Sequence, residues 1–270
     1  MSAPCGAIAT CTGVTCYAWP LIENRYQQNM TTLTPLCLLD LLESRRYAVE
    51  YQPIMALKTR EIMAFEALAR FKSAEGHAIP PQAVFSALHH SPLSLYQTEY
   101  HMKRLQLAEA PKDYRLFLNL DPDACAFEGH QAQADFSSWM DCLRSRPDIV
   151  VEIIENSNVS DAHISRRLAE ACHANQIELA LDDIGAPDSL VALSLLLSVD
   201  YLKFDRSWLA QRNDPPSMTL LTGLIRCARD LGKHTVLEGI ETEADLDFAH
   251  TLGVNYVQGF LFKPLFRHSH

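Results

Sequence analysis

The sequence predicts an α/β fold, a modified (β/α)8 barrel of the TIM type whose first strand is antiparallel to its neighbours. Short apolar runs of strand length alternate with helical patterns along most of the chain, which is typical of α/β proteins. A turn of only three residues separates the first two strand patterns and is too short for a parallel connection. Polar residues recur at the ends of the apolar runs, where such barrels carry their functional sites.

Length and composition favour one large domain. A chain of 270 residues with 48% hydrophobic residues can bury one core of barrel size. The first twenty residues are small and mildly apolar, and the first basic residue is Arg25, so the positive start of a secretory signal is missing. We predict a poorly ordered extension over residues 1–30 and a barrel domain over residues 31–270.

Charge and cysteine usage narrow the classes of partner and compartment. The formal charge of -10 argues against long nucleic acid and anionic membranes as partners, although metal could neutralise a bound anion locally. No stretch reaches the roughly 18 apolar residues that span a bilayer. Four of the eight cysteines, Cys125, Cys142, Cys172 and Cys227, are scattered singly without a C-x-x-C pair. We therefore expect a reducing, cytoplasmic location.

The barrel is predicted to begin with a helix and a hairpin. An apolar stripe predicts the helix over 35–46, with Thr34 as its cap and Pro35 at the first helical position, where a missing N–H costs nothing. Strands around 49–57 and 61–71 follow and form an antiparallel pair.

After the hairpin, strands and helices alternate. The predicted strands lie near 115–120, 149–154, 178–184, 200–205, 234–240 and 256–260. The predicted helices lie near 81–90, 94–107, 161–175, 189–197, 217–231 and 243–252. With the hairpin this makes eight strands, the number that closes a barrel of this class.

Seven polar residues lie at or beside the ends of these strands: Glu66, Asn119, Glu152, Asp182, Asp183, Lys203 and Glu238. Because parallel strands end at the same mouth of a barrel, we expect these side chains to form one cluster. Five crowded carboxylates repel one another unless cations hold them, so the cluster predicts divalent metal.

Ordered sequence blocks identify a family resemblance. Glu66-Ala67-Leu68 lies inside YQPIMALKTREIMAFEALARF, and the blocks FLNLDPD, VVEIIENS, ALDDIG, YLKFD, VLEGIET and VQGFLFKPL follow in order up to Leu265. The chain resembles a stand-alone EAL domain with an altered loop after the Asp-Asp pair. The resemblance implies a barrel that binds cyclic di-GMP and, in active members, hydrolyses one phosphodiester bond with Mg²⁺ or Mn²⁺ to give linear pGpG.

The resemblance also implies metal ligands. Glu66, Asn119, Glu152 and Asp182 match the ligands of one ion, and Asp182 bridges to a second ion that Asp183 also binds. Glu238 matches the acid that supports the second ion directly or through water. Hard oxygen ligands of this kind suit Mg²⁺ or Mn²⁺.

Lys203 matches the lysine assigned to activating the attacking water. Beside two cations its pKa is expected to be lowered, which suits proton transfer. The alternative interpretation is that Lys203 compensates the charge of the acids, and the two roles are compatible.

The remaining matches concern the substrate and the support of the metal centre. The expected substrate contacts are Gln52, Leu68, Arg70 and Asp205, with Arg70 near a phosphate. Glu241 and Gln258 match residues that orient the metal centre, and Glu155 matches the acid that anchors the loop after Asp183. The alternative for these side chains is an ordinary polar barrel rim.

The sequence departs from the family in the loop after Asp183. Active members carry a run like Phe-Gly-Thr-Gly-Tyr-Ser, whereas this chain has Ile-Gly-Ala-Pro-Asp-Ser over 184–189. Pro187 replaces a flexible glycine and removes a donor, and Asp188 takes the tyrosine position. In the family this loop helps position the second metal and contributes to a homodimer contact. We expect lowered or differently controlled activity rather than its loss.

Two functions of different classes remain open. The leading hypothesis is metal-dependent hydrolysis of cyclic di-GMP, and the alternative is a weak or inactive domain that acts as a receptor or binds a protein partner. A general nuclease or phosphomonoesterase is the weaker third hypothesis, because the acidic charge offers no track for long nucleic acid.

Overall fold

A closed barrel of eight strands forms the centre of the molecule. The computed structural model describes residues 33–126, 136–154, 159–187 and 192–269. With strands numbered in chain order, the sheet order is β10 (267–268), β1 (47–56), β9 (256–257), β8 (234–237), β7 (201–204), β6 (178–184), β5 (149–154), β4 (115–119), β2 (62–72) and β3 (78–79). An additional β1–β2 pairing closes the sheet. Strand β1 is antiparallel to β2 and β9, while the other barrel strands pair in parallel. The predicted modified TIM-type barrel with an antiparallel first strand is confirmed.

The barrel strands are β1 (Tyr47–Ala56), β2 (Ile62–Lys72), β4 (Arg115–Asn119), β5 (Ile149–Ile154), β6 (Glu178–Ile184), β7 (Tyr201–Phe204), β8 (His234–Leu237) and β9 (Tyr256–Val257). Two short strands extend the sheet, β3 (Ala78–Ile79) and β10 (Arg267–His268). The helices are α1 (Pro35–Ser44), α2 (Pro81–Leu88), α3 (Pro92–Ala108), α4 (Pro122–Ala126), α5 (Ser137–Leu143), α6 (Val159–Ala174), α7 (Leu193–Ser198), α8 (Ser207–Ala210), α9 (Pro215–Asp230) and α10 (Glu243–Leu252), with a 3-10 helix at Phe260–Leu265.

Local backbone geometry explains where several elements end. Thr34 caps α1 by accepting the N–H of Cys37, as predicted, but the helix ends earlier than expected because Arg45 is left-handed, with φ 46°. The predicted strand 234–240 stops at Leu237, shortly before Gly239 with φ 76°. The short helices α4, α5 and α8 were not predicted, because segments this brief carry little periodicity.

The barrel interior is layered. An apolar layer contains Ile54, Ala64, Phe117, Val150, Ala180, Tyr201 and Val236. Since side chains alternate along a strand, the inward residues two positions further along the parallel strands lie nearer the barrel mouth, and these are polar. A second, larger core packs the helices against the outside of the barrel. The apolar layer therefore closes the floor beneath the polar mouth.

Several predictions fall on parts of the chain outside the described residues. They concern the extension over 1–30, the loop anchor Glu155, and Asp188 and Ser189 of the altered loop. The boundary between extension and barrel domain stays a prediction. Among the helices of the described ranges, none combines the length and the apolar character needed to cross a bilayer.

Candidate metal centre

Neighbouring strands deliver the predicted polar residues to one mouth of the barrel. Asn119 and Glu152 are register partners on β4 and β5, and Gln52 and Glu66 are partners on β1 and β2. Lys203 is fully buried on β7. The structure therefore brings together residues separated by up to about two hundred positions in sequence.

Lys203 lies at the centre of this group. Its Nζ is 2.5 Å from Glu152 Oε1, 2.8 Å from Glu238 Oε1, 3.0 Å from Asp182 Oδ1 and 3.3 Å from Glu66 Oε2. One ammonium is thus shared among four acidic side chains, so its single charge can neutralise only one of them.

Amide side chains supply further hydrogen bonds. Asn119 Nδ2 donates to Glu66 Oε1 over 2.8 Å and to Glu152 Oε2 over 2.9 Å. Gln258 Nε2 donates to Glu66 Oε2 over 2.7 Å, which places this predicted supporting residue in direct contact with the cluster. These donors hold the carboxylates of Glu66 and Glu152 towards each other.

Asp182 and Asp183 both approach the site although they are adjacent in sequence. Successive side chains of a regular strand point to opposite faces. Here the β6–β7 register shifts between Leu181 and Ile184, and Asp183 is left-handed with φ 57°. This irregularity gives the mouth of the barrel two neighbouring acids.

Burial and mutual repulsion shift the pKa values of the acids. Burial, followed by the charge of Glu66, raises the pKa of Glu152 well above its usual range. Burial also raises the pKa of Glu238 and Asp182. Burial and then Asp182 raise the pKa of Asp183 to about 7. These acids therefore hold protons more tightly than free carboxylates do.

The pKa values of Glu66 and Lys203 shift in the directions that favour the charged forms of these side chains. Burial opposes ionisation of Glu66, but Lys203 and the hydrogen bonds from Gln258 and Asn119 outweigh it and lower its pKa. Burial likewise opposes the charge of Lys203, but four carboxylates outweigh it and raise its pKa well above the usual value. Surrounded by these acids alone, Lys203 compensates their negative charge. The lowered Lys203 pKa that is expected beside bound cations stays a prediction for the metal-loaded site.

The oxygen atoms form two groups that fit cations. Ligand atoms of Glu66, Glu152 and Asp182 lie within 4.8 Å of one another, and so do those of Asp182, Asp183 and Glu238. Asp182 belongs to both groups, as a bridging ligand would. Asn119 presents its amide nitrogen to the acids, and a flip of the amide would present the oxygen instead. Hard oxygen donors of this kind suit Mg²⁺, Mn²⁺ or Ca²⁺.

A cavity of about 560 Å³ opens above the cluster, and the expected substrate residues Gln52, Leu68 and Arg70 line it together with the exposed Glu241. Arg70 Nη2 forms an ion pair of 2.5 Å with Glu50. Asp205 is not among the lining residues, and its Oδ1 accepts the N–H of Ser207 over 2.8 Å at the start of α8. Asp205 therefore supports the local backbone.

Sequence reasoning missed a polar wall of the same cavity. Helix α3 contributes the buried residues Glu99, Lys103 and Gln106, and Lys103 Nζ lies 2.7 Å from Glu99 Oε2. His89 at the cavity edge lies 3.1 Å from Asp121 Oδ2. The spacing of Glu99, Lys103 and Gln106 places them on the helix face that also carries the buried Leu95 and Met102. Polar residues at core positions were the signal that could have found them.

Comparison with known proteins identifies the family. A family model described as the EAL domain matches residues 37–264, which is most of the chain. The chain belongs to the EAL domain family. The Glu-Ala-Leu motif of this EAL domain lies within β2, where Glu66 is the register partner of Phe117 on β4.

Curated relatives of the EAL domain are similar at low identity. The cyclic di-GMP phosphodiesterase PdeL of Escherichia coli K12 is 24% identical over 250 residues, covering 90% of this chain and 68% of PdeL. The probable cyclic di-GMP phosphodiesterase PdeN of the same organism is 24% identical and covers 96% of this chain but 50% of PdeN. PdeG, a third such protein, is covered over 44% of its length, so this chain corresponds to only part of these relatives.

Solved structures share the barrel. The PaMucR phosphodiesterase in complex with c-di-GMP aligns with a TM-score of 0.67 and 24% identity, covering 83% of this chain and 93% of that one. The BlrP1 protein of Klebsiella pneumoniae in a manganese and cyclic di-GMP complex aligns with a TM-score of 0.65 and 26% identity, covering 80% of this chain and 55% of that one.

Proposed function

We propose that this EAL domain hydrolyses cyclic di-GMP to linear pGpG in a reaction that depends on Mg²⁺ or Mn²⁺. The observation that carries the proposal is the convergence of Glu66, Glu152, Asp182 and Glu238 on Lys203. Relatives named as cyclic di-GMP phosphodiesterases and a relative with manganese and the dinucleotide support it.

The proposed cation ligands are Glu66, Asn119, Glu152, Asp182, Asp183 and Glu238. Two divalent ions held by these oxygens would stabilise the charge that develops on the phosphodiester during in-line attack and lower the pKa of water. In this proposal Gln52, Leu68 and Arg70 bind the dinucleotide in the cavity above. The planar guanidinium of Arg70 can donate two parallel hydrogen bonds to the oxygens of a phosphate.

Lys203 is the proposed proton acceptor from the attacking water. Its own proton must leave first, and Glu238 Oε1 at 2.8 Å is placed to receive it. The Glu238 side chain is 20% exposed, whereas those of Glu152, Glu66 and Asp182 are 0%, 7% and 10% exposed. Glu238 is therefore the carboxylate from which a proton can most readily pass to solvent.

A receptor function is the second candidate, and the altered loop favours it. Pro187 lacks the backbone donor of the glycine it replaces, and the loop follows directly from Asp183. The FimX EAL domain of Pseudomonas aeruginosa bound to c-di-GMP has the same fold, with a TM-score of 0.68 and 21% identity. As a receptor, this chain would bind the dinucleotide, or a protein partner, without turnover.

A hydrolysis assay over a metal series tests the proposal. Purified protein should convert cyclic di-GMP to pGpG with Mg²⁺ or Mn²⁺, and Ca²⁺ should inhibit because its looser geometry disfavours the reaction. Glu66→Ala should lose turnover, while Glu61→Ala, which removes an exposed acid on the hairpin, should retain it. No turnover with either metal would refute hydrolysis. Tight binding of cyclic di-GMP by calorimetry, with the ligand recovered uncleaved afterwards, would establish the receptor function.

A homodimer and a cytoplasmic location complete the proposal. The homodimer expectation comes from the family role of the loop after Asp183. Light scattering of the purified protein at several concentrations, with and without cyclic di-GMP, measures its oligomeric state directly.

A further inference from the structure

The conformation of Asp183 needs support from its surroundings. A residue with a side chain is strained at φ 57° and persists there only when neighbouring contacts hold it. The loop that follows differs from the family run, and Pro187 within it cannot donate a backbone hydrogen bond. Other contacts must therefore keep Asp183 facing the cavity.

Two side chains at the start of α8 bind the carbonyls that follow Asp183. Trp208 Nε1 donates to Ile184 O over 2.7 Å in a buried hydrogen bond, and Ser207 Oγ donates to Gly185 O over 2.9 Å. A Cβ on Gly185 would overlap the indole of Trp208, so the ring lies directly against the backbone. We refer to Ser207 and Trp208 as the α8 clamp.

The α8 clamp is tied to the strand that carries Lys203. Asp205 follows β7 directly and accepts the N–H of Ser207 over 2.8 Å, while its own N–H donates to Ile184 O over 3.1 Å. Trp208 is only 5% exposed, so water competes little for its hydrogen bond. The positions of Asp183 and Lys203 are therefore linked through α8.

We propose that Ser207 and Trp208 are positioning residues that hold Asp183 towards Asp182 and Glu238 despite the altered loop. These three acids form the second of the two oxygen groups that fit a cation. The inference rests on the proposed function, because the position of Asp183 affects cation binding only if the second group binds a cation. It assigns to Trp208 a role that packing alone would not require, since the indole N–H and not only the ring is used.

The test compares Trp208→Phe with Trp139→Phe. Each substitution shrinks a buried indole to a phenyl ring, but Trp139 Nε1 has no hydrogen-bond partner among the described residues. Ser207→Ala is the milder second variant if Trp208→Phe folds poorly. Two readouts are used: hydrogen–deuterium exchange of the segment 182–187 in metal-free protein, and Mn²⁺ binding by calorimetry with inert substrate analogue.

Trp208→Phe should increase exchange at the Ala186 amide, which donates to Asp183 O over 2.9 Å, about tenfold. Trp208→Phe should also weaken the binding of one of two Mn²⁺ ions about tenfold, which corresponds to a loss of roughly 1.4 kcal/mol of binding free energy. The affinity for the other ion should stay unchanged. Ser207→Ala should act in the same direction, and Trp139→Phe should change neither readout.

Wild-type exchange and Mn²⁺ affinities in Trp208→Phe, or equal effects in Trp139→Phe, would overturn the proposal. A wild-type protein that binds Mn²⁺ but cleaves no cyclic di-GMP would refute the hydrolytic function and leave the α8 clamp standing. The two failures are therefore distinguishable.

Discussion

At the scale of single residues, the charge of Lys203 determines how the mouth of the barrel is held together. A fully buried ammonium among four carboxylates offsets part of their repulsion, and removing one partner from such a group leaves the others buried and uncompensated. Cations bound by the same oxygens would supply the same compensation. Lys203 and divalent metal are thus expected to be partly interchangeable for stability, although not for catalysis.

Lys203→Met should lower the free energy of unfolding of the metal-free protein by roughly 3–5 kcal/mol. Mn²⁺ should then stabilise this variant more than it stabilises the wild type, because the metal replaces the lost charge. Urea unfolding with and without Mn²⁺ measures both effects. Lys103→Met is the matched control: it also breaks a buried ion pair, with Glu99, but should show only the wild-type response to Mn²⁺. Equal Mn²⁺ responses in the two variants would contradict the metal assignment.

Arg70→Ala should weaken cyclic di-GMP binding roughly 10- to 100-fold, because hydrogen bonds to a charged group are lost. Titration calorimetry with Ca²⁺ in place of Mn²⁺ limits turnover during the measurement. Arg144→Ala, which removes an exposed arginine paired with Asp141, should bind normally. Unchanged affinity in Arg70→Ala would show that Arg70 serves only its ion pair with Glu50.

At the scale of elements, strand ends and the glycines beside them shape the site. Gly239 follows Glu238 and Gly259 follows Gln258, so two residues of the site are each followed by a position without a side chain. Gly259 packs so closely on Ile240 that a Cβ would overlap its backbone. The segment after β9 can therefore cross the segment after β8 only with glycine there.

Gly259→Ala should destabilise the protein by roughly 1–3 kcal/mol, because backbone atoms must move apart. Gly223→Ala in α9 is the control and should stabilise the protein instead, since a Cβ there meets nothing within 4 Å. Alanine in a helix interior is more favourable than glycine by up to about 1 kcal/mol. Denaturant midpoints of the two variants measure the difference, and destabilisation by both would contradict the packing argument.

At the scale of the whole molecule, the acidic mouth makes stability depend on pH and metal together. The folded protein holds protons on Asp182, Asp183, Glu152 and Glu238 at pH values where an unfolded chain has released them. Stability from these groups is present at low pH and is lost as pH rises through their folded-state pKa values. Metal binding requires the ionised forms, so it gains strength over the same range.

The metal-free protein should therefore melt at lower temperature as pH rises from about 5 to about 7, the upper limit being the pKa of Asp183, about 7. The expected slope is about 3 °C per pH unit for each retained proton. Saturating Mn²⁺ should reverse the slope. Asp183→Asn should reduce it in metal-free buffer without abolishing it, because the other three acids remain. A melting temperature that rises with pH in metal-free wild-type protein would show that these acids are ionised throughout.

Short-range patterns along the chain were enough to predict the barrel, its opening hairpin and the strands that carry Glu66, Asn119, Glu152 and Lys203. Strand and helix periodicity and turn length are properties of neighbouring residues, so they can be read without the fold. The left-handed turn at Asp183, the support of Ile184 by Trp208 and the polar wall on α3 could not be predicted in this way. They arise where segments far apart in sequence pack together, and only the register and packing of the closed barrel bring those segments into contact.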